Sequence, residues 1–143
     1  MSATYDPNNI FAKILRGEAP SVRVYEDDSA LAFMDVMPRT PGHTLIIPKA
    51  PARNLLDISP ADLAALIPTV QRIAIAAKTA LEAEGVSVMQ FNESAGGQVV
   101  FHLHFHVLPR WSGVALRPPG GPIAAAEQLE VHAAKIRAAL KAI

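Results

Sequence analysis

Histidine occupies every second position in the first five residues of the stretch 102–107, and this alternation is the strongest constraint in the sequence. The three residues are His102, His104 and His106. Because successive side chains of a β-strand point to opposite faces, the pattern predicts a strand that presents three imidazoles on one surface. The alternate positions Leu103, Phe105 and Val107 are apolar, as the buried face of a strand requires. Few structural roles call for three aligned imidazoles, so the stretch indicates a chemical site.

The length and charge balance of the chain limit the classes of protein to consider. Its 143 residues fit a single domain with a substantial core. We expect that domain to span 1–143, with its core at about 8–110 and a linker and terminal helix at about 111–143. Lysine plus arginine and aspartate plus glutamate both count 13, so the formal net charge is zero. This balance gives no electrostatic basis for nonspecific binding to nucleic acid or to an anionic membrane.

The absence of cysteine and of targeting signals predicts a cytoplasmic protein. Without cysteine, disulfides and thiolate metal sites are excluded. The N-terminal residues 1–7 lack the basic start and apolar run of a signal peptide. No stretch is long enough to span a bilayer without charge or proline.

Hydrophobic periodicity and turn residues predict an α+β fold. Strands are expected at 22–25, 30–34, 44–47, 86–91 and 99–108. Helices are expected at 8–16, with Asn8 or Asn9 as the cap, from a Ser59 cap to Gly85, and at about 123–142. The first three strands follow one another without a helical crossover. We therefore predict an antiparallel sheet of about five strands, with a short N-terminal helix, a long helix and a C-terminal helix packed on one face.

The histidine row and the loop before it together predict attack on phosphorus. A neutral histidine is a nucleophile near neutral pH. The preceding loop, 92–97, ends in two glycines, which let backbone N–H groups approach a phosphate. Asn92 and Gln98 add neutral donors where negative charge would develop. Three histidines on a strand can also hold zinc, so a zinc hydrolase remains an alternative.

These residues resemble the histidine triad family of nucleotide hydrolases and transferases. The resemblance is carried by Asn92, Gly97-Gln98-Val99, the histidine row and Pro109-Arg110, together with blocks at 9–14, 25–28, 32–35 and 42–49. It covers about residues 8–110, in the order and spacing typical of the family. The resemblance implies a homodimer and no required cofactor or metal.

The resemblance implies that His104 is the nucleophile. It would attack the α-phosphorus of a purine nucleoside 5′-phosphate derivative, of the adenosine phosphoramidate or diadenosine polyphosphate type. A covalent nucleotidyl-histidine would form, and water would release AMP or GMP. His106 would hold phosphate oxygens, while His102 and His43 would set the tautomer of the nucleophile.

The resemblance also implies a set of substrate-binding residues. Gln98, in the loop with Gly97, would hold phosphate oxygens, and Asn92 would orient the phosphate. Asp35 would grip the ribose hydroxyls, since a carboxylate is a pure acceptor. The expected apolar slot for the purine consists of Ile10, Phe11, Phe33 and Val36.

Two departures from the family pattern affect the prediction. Val99 stands where many members have a hydroxyl that touches the leaving group. This change keeps open a second function, a nucleotide-binding interaction module with vestigial catalysis. Asn9 and Ala12 stand where some bacterial relatives have zinc-binding cysteines, so we expect no zinc of that kind.

Overall fold

Eight helices and strands and one short 3₁₀ turn follow one another in the computed structural model, which describes residues 4–143. Residues 1–3 lie outside the described residues. They are the first residues of the N-terminal stretch that lacks the features of a signal peptide. The helices and strands are α1 (Ile10–Leu15), β1 (Arg23–Glu26), β2 (Ala30–Met34), β3 (Thr44–Pro48), α2 (Pro60–Ala80), β4 (Gly85–Met89), β5 (Phe105–Arg110) and α3 (Ala126–Lys141). The 3₁₀ turn is Ser94–Gly96.

The strands form one antiparallel sheet in the order β1-β2-β3-β5-β4, which confirms the predicted α+β class. Side chains alternate across β2. Ala32 and Met34 join the core beneath α2 and α3, whereas Leu31 and Phe33 join a second cluster with Phe11 of α1. The helices therefore lie on both faces of the sheet, because both sides of β2 are apolar, and the prediction of one covered face is wrong.

The predicted strand 99–108 is wrong in its first half, since β5 begins at Phe105. The ladder between β3 and β5 runs only from Thr44↔Val107 to Ile46↔Phe105. Continued by two residues, it would oppose Leu103 to Pro48, which has no N–H to donate. The N–H of Leu103 instead donates to the carbonyl oxygen of Ala52 at 2.9 Å.

α1 and α2 begin at their predicted caps, α2 ends before its predicted end, and α3 begins later than predicted, at Ala126. The side chain of Asn9 accepts from Ala12 N at the start of α1, and that of Ser59 accepts from Asp62 N at the start of α2. α2 ends at Ala80 rather than Gly85, because Glu82 adopts a positive φ of 51° that a helix cannot continue. α3 begins at Ala126, because the preceding residue, Ala125, is extended (φ −63°, ψ 138°), and it ends at Lys141. Within residues 4–143, no helix has the length and apolar character needed to cross a membrane.

Candidate active site

His104 carries a lone pair that a ligand can reach. Its Nδ1 lies 2.7 Å from the carbonyl oxygen of His102, which can only accept, so Nδ1 bears the proton and Nε2 the lone pair. Within residues 4–143, Nε2 has no hydrogen-bond partner, and no buried side-chain nitrogen or oxygen lacks one. Nε2 is therefore open to solvent. Burial lowers the pKa of His104, which keeps the ring in its neutral, nucleophilic form.

A chain of hydrogen bonds fixes the proton on the neighbouring His106. The backbone N–H of Arg39 donates to Nδ1 of His43 at 3.1 Å, so the proton of His43 is on Nε2. That Nε2–H donates to Nδ1 of His106 at 2.9 Å, which places the proton of His106 on its own Nε2. The ring centroids of His104 and His106 are 4.9 Å apart. A lone pair and an N–H donor therefore lie side by side.

Burial is the main reason that this chain of histidines is neutral. It lowers the pKa of His43 to about 3 and that of His106 to about 4. Neighbouring histidines and the positive charge of Arg39 lower both pKa values further. At neutral pH both rings are uncharged, so they act through hydrogen bonds and not as cations.

Asp35 lies at the end of the same chain. Its Oδ1 accepts from Met37 N at 2.8 Å, and its Oδ2 lies 3.4 Å from Nε2 of His43. Because His43 is neutral, the second contact is not an ion pair. Burial raises the pKa of Asp35 although the Met37 hydrogen bond opposes the rise. The residue predicted to bind ribose hydroxyls thus lies beside the histidines.

Asp35, His43 and His106 are close enough together to be considered as metal ligands, with one ligand atom of each within 4.8 Å of the others. A metal at this point would need the lone pair of His43 Nε2. The Arg39 N–H at the other nitrogen requires that Nε2 carry a proton instead. The hydrogen-bond pattern therefore opposes a cation here and favours proton-mediated contacts.

His102 offers no atom to a ligand, because both ring nitrogens are occupied. Nε2–H donates to the carbonyl oxygen of Pro48 at 2.9 Å, and Nδ1 lies 2.7 Å from the hydroxyl of Tyr5. The residue is fully buried. Its link to the nucleophile is its backbone carbonyl, which holds His104.

Gln98 braces the loop before the histidines. Its amide donates to the carbonyl oxygens of Arg53 at 2.8 Å and Val100 at 3.0 Å. Its oxygen accepts from Asn54 Nδ2 at 3.0 Å and Glu93 N at 2.8 Å. Both amide protons are used within the protein, so in this conformation Gln98 positions the loop and has no proton left for a phosphate.

The glycine loop also uses its own N–H groups. Gly97 N donates to Ser94 O at 3.0 Å, and Gln98 N donates to Glu93 O at 3.0 Å. Gly97 has a φ of +100°, which side chains rarely adopt, and so permits this tight turn. Asn92 accepts from Leu55 N at 2.9 Å and forms a reciprocal pair with Gln90. These hydrogen bonds hold the loop that precedes the histidines in a single conformation.

The four residues of the predicted purine slot divide into a floor and a rim. Phe11 packs edge-on against His104, with ring centroids 5.0 Å apart, and against Phe33 at 5.4 Å. Both phenylalanines are buried, whereas Ile10 and Val36 are more than 40% exposed (47% and 43%). The exposed pair is the part of the slot that a base could contact directly.

A cavity of about 340 Å³ adjoins this slot. Its lining residues are Asp6, Asn9, Ile10, Arg53, Val99, Val100 and Phe101. It thus joins Ile10 of the slot to Val99, which is 82% exposed. Among residues 4–143, no histidine lines it, so the cavity does not enclose the reacting atoms. Its volume is within the range of small-molecule sites.

Sequence reasoning missed three residues that support the site. The fully buried amide of Asn54 holds both Gln98 and Glu93, and Tyr5 binds His102. Arg39 acts through its backbone N–H. Tyr5 and His102 are 97 residues apart, and a backbone donor has no residue signature, so no local pattern points to either contact.

Comparisons with known proteins place the chain in a family. The model of the HIT domain matches residues 16–113. A HIT-like protein of Bartonella henselae, solved with an unknown ligand, superposes with a TM-score of 0.90 at 57% identity and covers 95% of this chain and 99% of that one. An uncharacterized HIT-like protein of Saccharolobus solfataricus is 43% identical over 72% of this chain and 74% of its own length. The adenylylsulfatase HINT3 of Arabidopsis thaliana is 37% identical over 81% of this chain and 62% of its own length.

Proposed function

The chain belongs to the histidine triad (HIT) family of nucleotide-binding proteins, and we propose that it is a nucleotide hydrolase or transferase. It would act on the α-phosphate of purine nucleoside 5′-phosphate derivatives through a covalent bond to His104. Substrates of the adenosine phosphoramidate or diadenosine polyphosphate type fit this chemistry. The cytoplasmic location expected from the sequence stays a prediction.

The observation that carries the proposal is the pairing of an open lone pair with a fixed donor. His104 Nε2 has no partner in the part of the chain that the structure describes, and His106 bears its proton on Nε2. One ring can attack phosphorus while the other donates to a phosphate oxygen. Such a donor stabilises the negative charge that develops in the transition state.

The proposed reaction has two steps. The Nε2 lone pair of His104 forms a bond to the α-phosphorus, and the bond from phosphorus to the leaving group breaks, with the electron pair going to the leaving group. An amide leaving group also takes up a proton from solvent and departs as an amine. The resulting nucleotidyl-imidazolium keeps its Nδ1–H on the His102 carbonyl, which stabilises the positive charge. Water then attacks phosphorus and releases a proton to solvent, the N–P bond breaks with its electron pair returning to Nε2 of His104, and the nucleoside monophosphate leaves.

The remaining site residues have proposed positioning roles. Asp35, next to His43, would accept hydrogen bonds from the ribose hydroxyls. The two exposed residues of the slot, Ile10 and Val36, would contact the purine. Gln98 and Asn92 would hold the loop 92–97 in place, since their hydrogen bonds are made within the protein. One relative, HINT3 of Arabidopsis thaliana, is an adenylylsulfatase, which supports AMP transfer as the proposed reaction. Adenosine 5′-phosphosulfate is therefore a further test substrate.

The proposal is tested by AMP release from three substrates. The protein is incubated with adenosine 5′-phosphoramidate, diadenosine tetraphosphate or adenosine 5′-phosphosulfate, with and without a chelator, and AMP is quantified by chromatography. We expect AMP from at least one substrate at a rate that the chelator does not change. The highest kcat/KM then identifies the preferred leaving group.

Val99 supports a second candidate, a nucleotide-binding module with vestigial catalysis. Its side chain is 82% exposed and offers no hydrogen bond to a leaving group. AMP binding without AMP release from any of the three substrates would favour this alternative. Activity that disappears with the chelator would instead support the zinc hydrolase.

We also propose a homodimer that covers β4 and the outer side of α2. β4 is one of the two edge strands of the sheet, the other being β1, and its Val88 is 50% exposed. On α2, Ile67 and Ile75 are 43% and 46% exposed. Unpaired strand edges and exposed apolar side chains favour pairing with a second copy.

A charge on this surface is expected to separate the copies. Val88→Lys should shift the protein from dimer to monomer in sedimentation velocity, because the ammonium would be buried at the interface. Val131→Lys is the matched control, since Val131 is 49% exposed on α3, which packs against α2, β1 and β2. A wild-type monomer, or a dimer that persists in Val88→Lys, would contradict the proposed interface.

A further inference from the structure

We propose that Tyr5 is a positioning residue that holds the nucleophile through His102. This inference rests on the proposed function, which makes His104 the nucleophile. Tyr5 lies before α1, outside the histidine row and the loop, and its hydroxyl lies 2.7 Å from Nδ1 of His102. The two rings also pack edge-on, with centroids 5.5 Å apart.

The direction of this hydrogen bond follows from the other side of the ring. The carbonyl oxygen of Pro48 can only accept, so Nε2 of His102 carries the proton. In the neutral ring Nδ1 is then the acceptor, and the hydroxyl of Tyr5 donates to it. Burial of His102 lowers its pKa and supports this neutral form. Tyr5 and Pro48 therefore hold the ring at both nitrogens.

The consequence for His104 arises from the backbone of the same residue. The carbonyl oxygen of His102 accepts the Nδ1–H of His104 at 2.7 Å and so directs the lone pair on Nε2. His102 precedes β5, where the ladder to β3 has ended. In the described part of the chain, the peptide unit that contains this carbonyl is held by one backbone hydrogen bond, from Leu103 N to Ala52 O at 2.9 Å. Anchoring the ring of His102 restrains the rotation of its backbone. The hydroxyl of Tyr5 supplies one of the two anchors.

The segment that carries Tyr5 is itself attached to α1. Asn8 N donates to Asp6 Oδ1 at 2.9 Å, and Asn9 Nδ2 donates to Asp6 O at 2.7 Å. Arg16 Nη1 donates to Pro7 O at 2.7 Å. These bonds place the tyrosine over His102 rather than in solvent.

The test compares Tyr5→Phe with Tyr25→Phe, its matched control. Tyr25 also loses a hydroxyl hydrogen bond, to Asp27 at 2.8 Å, but it lies on β1 away from the histidines. We expect kcat for AMP release to fall about threefold to tenfold in Tyr5→Phe, as for loss of one hydrogen bond, with KM unchanged. Tyr25→Phe should keep the wild-type kcat.

A spectroscopic readout separates this inference from the proposed function. Two-dimensional ¹⁵N–¹H spectra of the imidazole rings report the tautomer of each histidine without catalysis. In Tyr5→Phe the His102 Nδ1 and His104 signals should shift, with those of His132 unchanged. Unchanged His102 and His104 signals, or a change in KM alone, would overturn the role of Tyr5. If no substrate is turned over but both signals shift, the proposed function fails and the placement of Tyr5 stands.

Discussion

His104→Ala is expected to lower kcat/KM for AMP release by about 10⁴-fold or more, the scale seen when a nucleophile is removed. No other histidine of the triad can replace it. Both nitrogens of His102 are occupied, and His106 presents a proton rather than a lone pair at its open nitrogen. Nucleotide binding should change little, because the contacts proposed for ribose and purine do not involve His104. AMP release and the Kd for AMP are the two measurements.

Chemical rescue sharpens this prediction. His104→Gly leaves space for free imidazole, which should restore part of the lost turnover, whereas His104→Ala should recover less. His132→Ala is the control, since His132 lies on α3 and its ring contacts Gln128. Wild-type protein quenched at alkaline pH should also gain the mass of one adenylyl group, and the His104 variants should not. Full activity of His104→Ala would contradict covalent catalysis by this residue.

The parts of the fold that were predicted from sequence are those set by local periodicity. β2 was predicted at its observed bounds because turn residues flank an uninterrupted apolar run. α1 and α2 begin at their predicted caps, because a cap is a contact between residues three apart. The bounds that failed depend on partners distant in sequence. β5 begins late because Pro48 cannot continue the ladder.

The same division applies to the candidate site. The alternation of histidine with apolar residues identified His104 and His106, which are two residues apart and whose ring centroids lie 4.9 Å from each other. The bond between His43 and His106 joins residues 63 apart and came only from the family resemblance. Gln98 was expected to face phosphate, yet Arg53, Asn54 and Glu93 occupy its amide. Sequence indicates which groups are present, but hydrogen-bond capacity depends on every neighbour in space.

The neutral histidines lead to the second large effect, a loss of stability on mild acidification. In the unfolded chain a histidine binds a proton as pH falls through its ordinary pKa of 6.5. In the folded protein burial lowers the pKa of His43 to about 3 and of His106 to about 4, so neither ring binds a proton there. Between these values the unfolded state holds more protons, and the free energy of unfolding must fall as pH falls.

The expected slope is about 1.4 kcal/mol per pH unit for each such histidine, and about twice that for the pair. The pKa values of His102 and His104 are also lowered by burial and act in the same direction. Asp35 has the opposite effect on the free energy of unfolding. Because its pKa is raised in the folded protein, the folded state takes up this proton at a higher pH than the unfolded state does, and the effect is confined to pH values near that raised pKa. The fall should therefore begin near pH 6.5, above the range in which carboxylates titrate.

Urea unfolding at pH 7.5, 6.5, 5.5 and 4.5 measures this slope. We expect a shallow decrease in the free energy of unfolding between the first two values and a steep decrease below them. His106→Asn should reduce the slope by about one proton, whereas His132→Gln should retain most of it because that ring lies on α3, away from the buried chain. A free energy that stays constant down to pH 4.5 would mean that the folded protein takes up these protons. The hydrogen bonds from Arg39 to His43 and from His43 to His106 would then not be formed as described. The assignment of the proton to His106 Nε2 would be wrong as well.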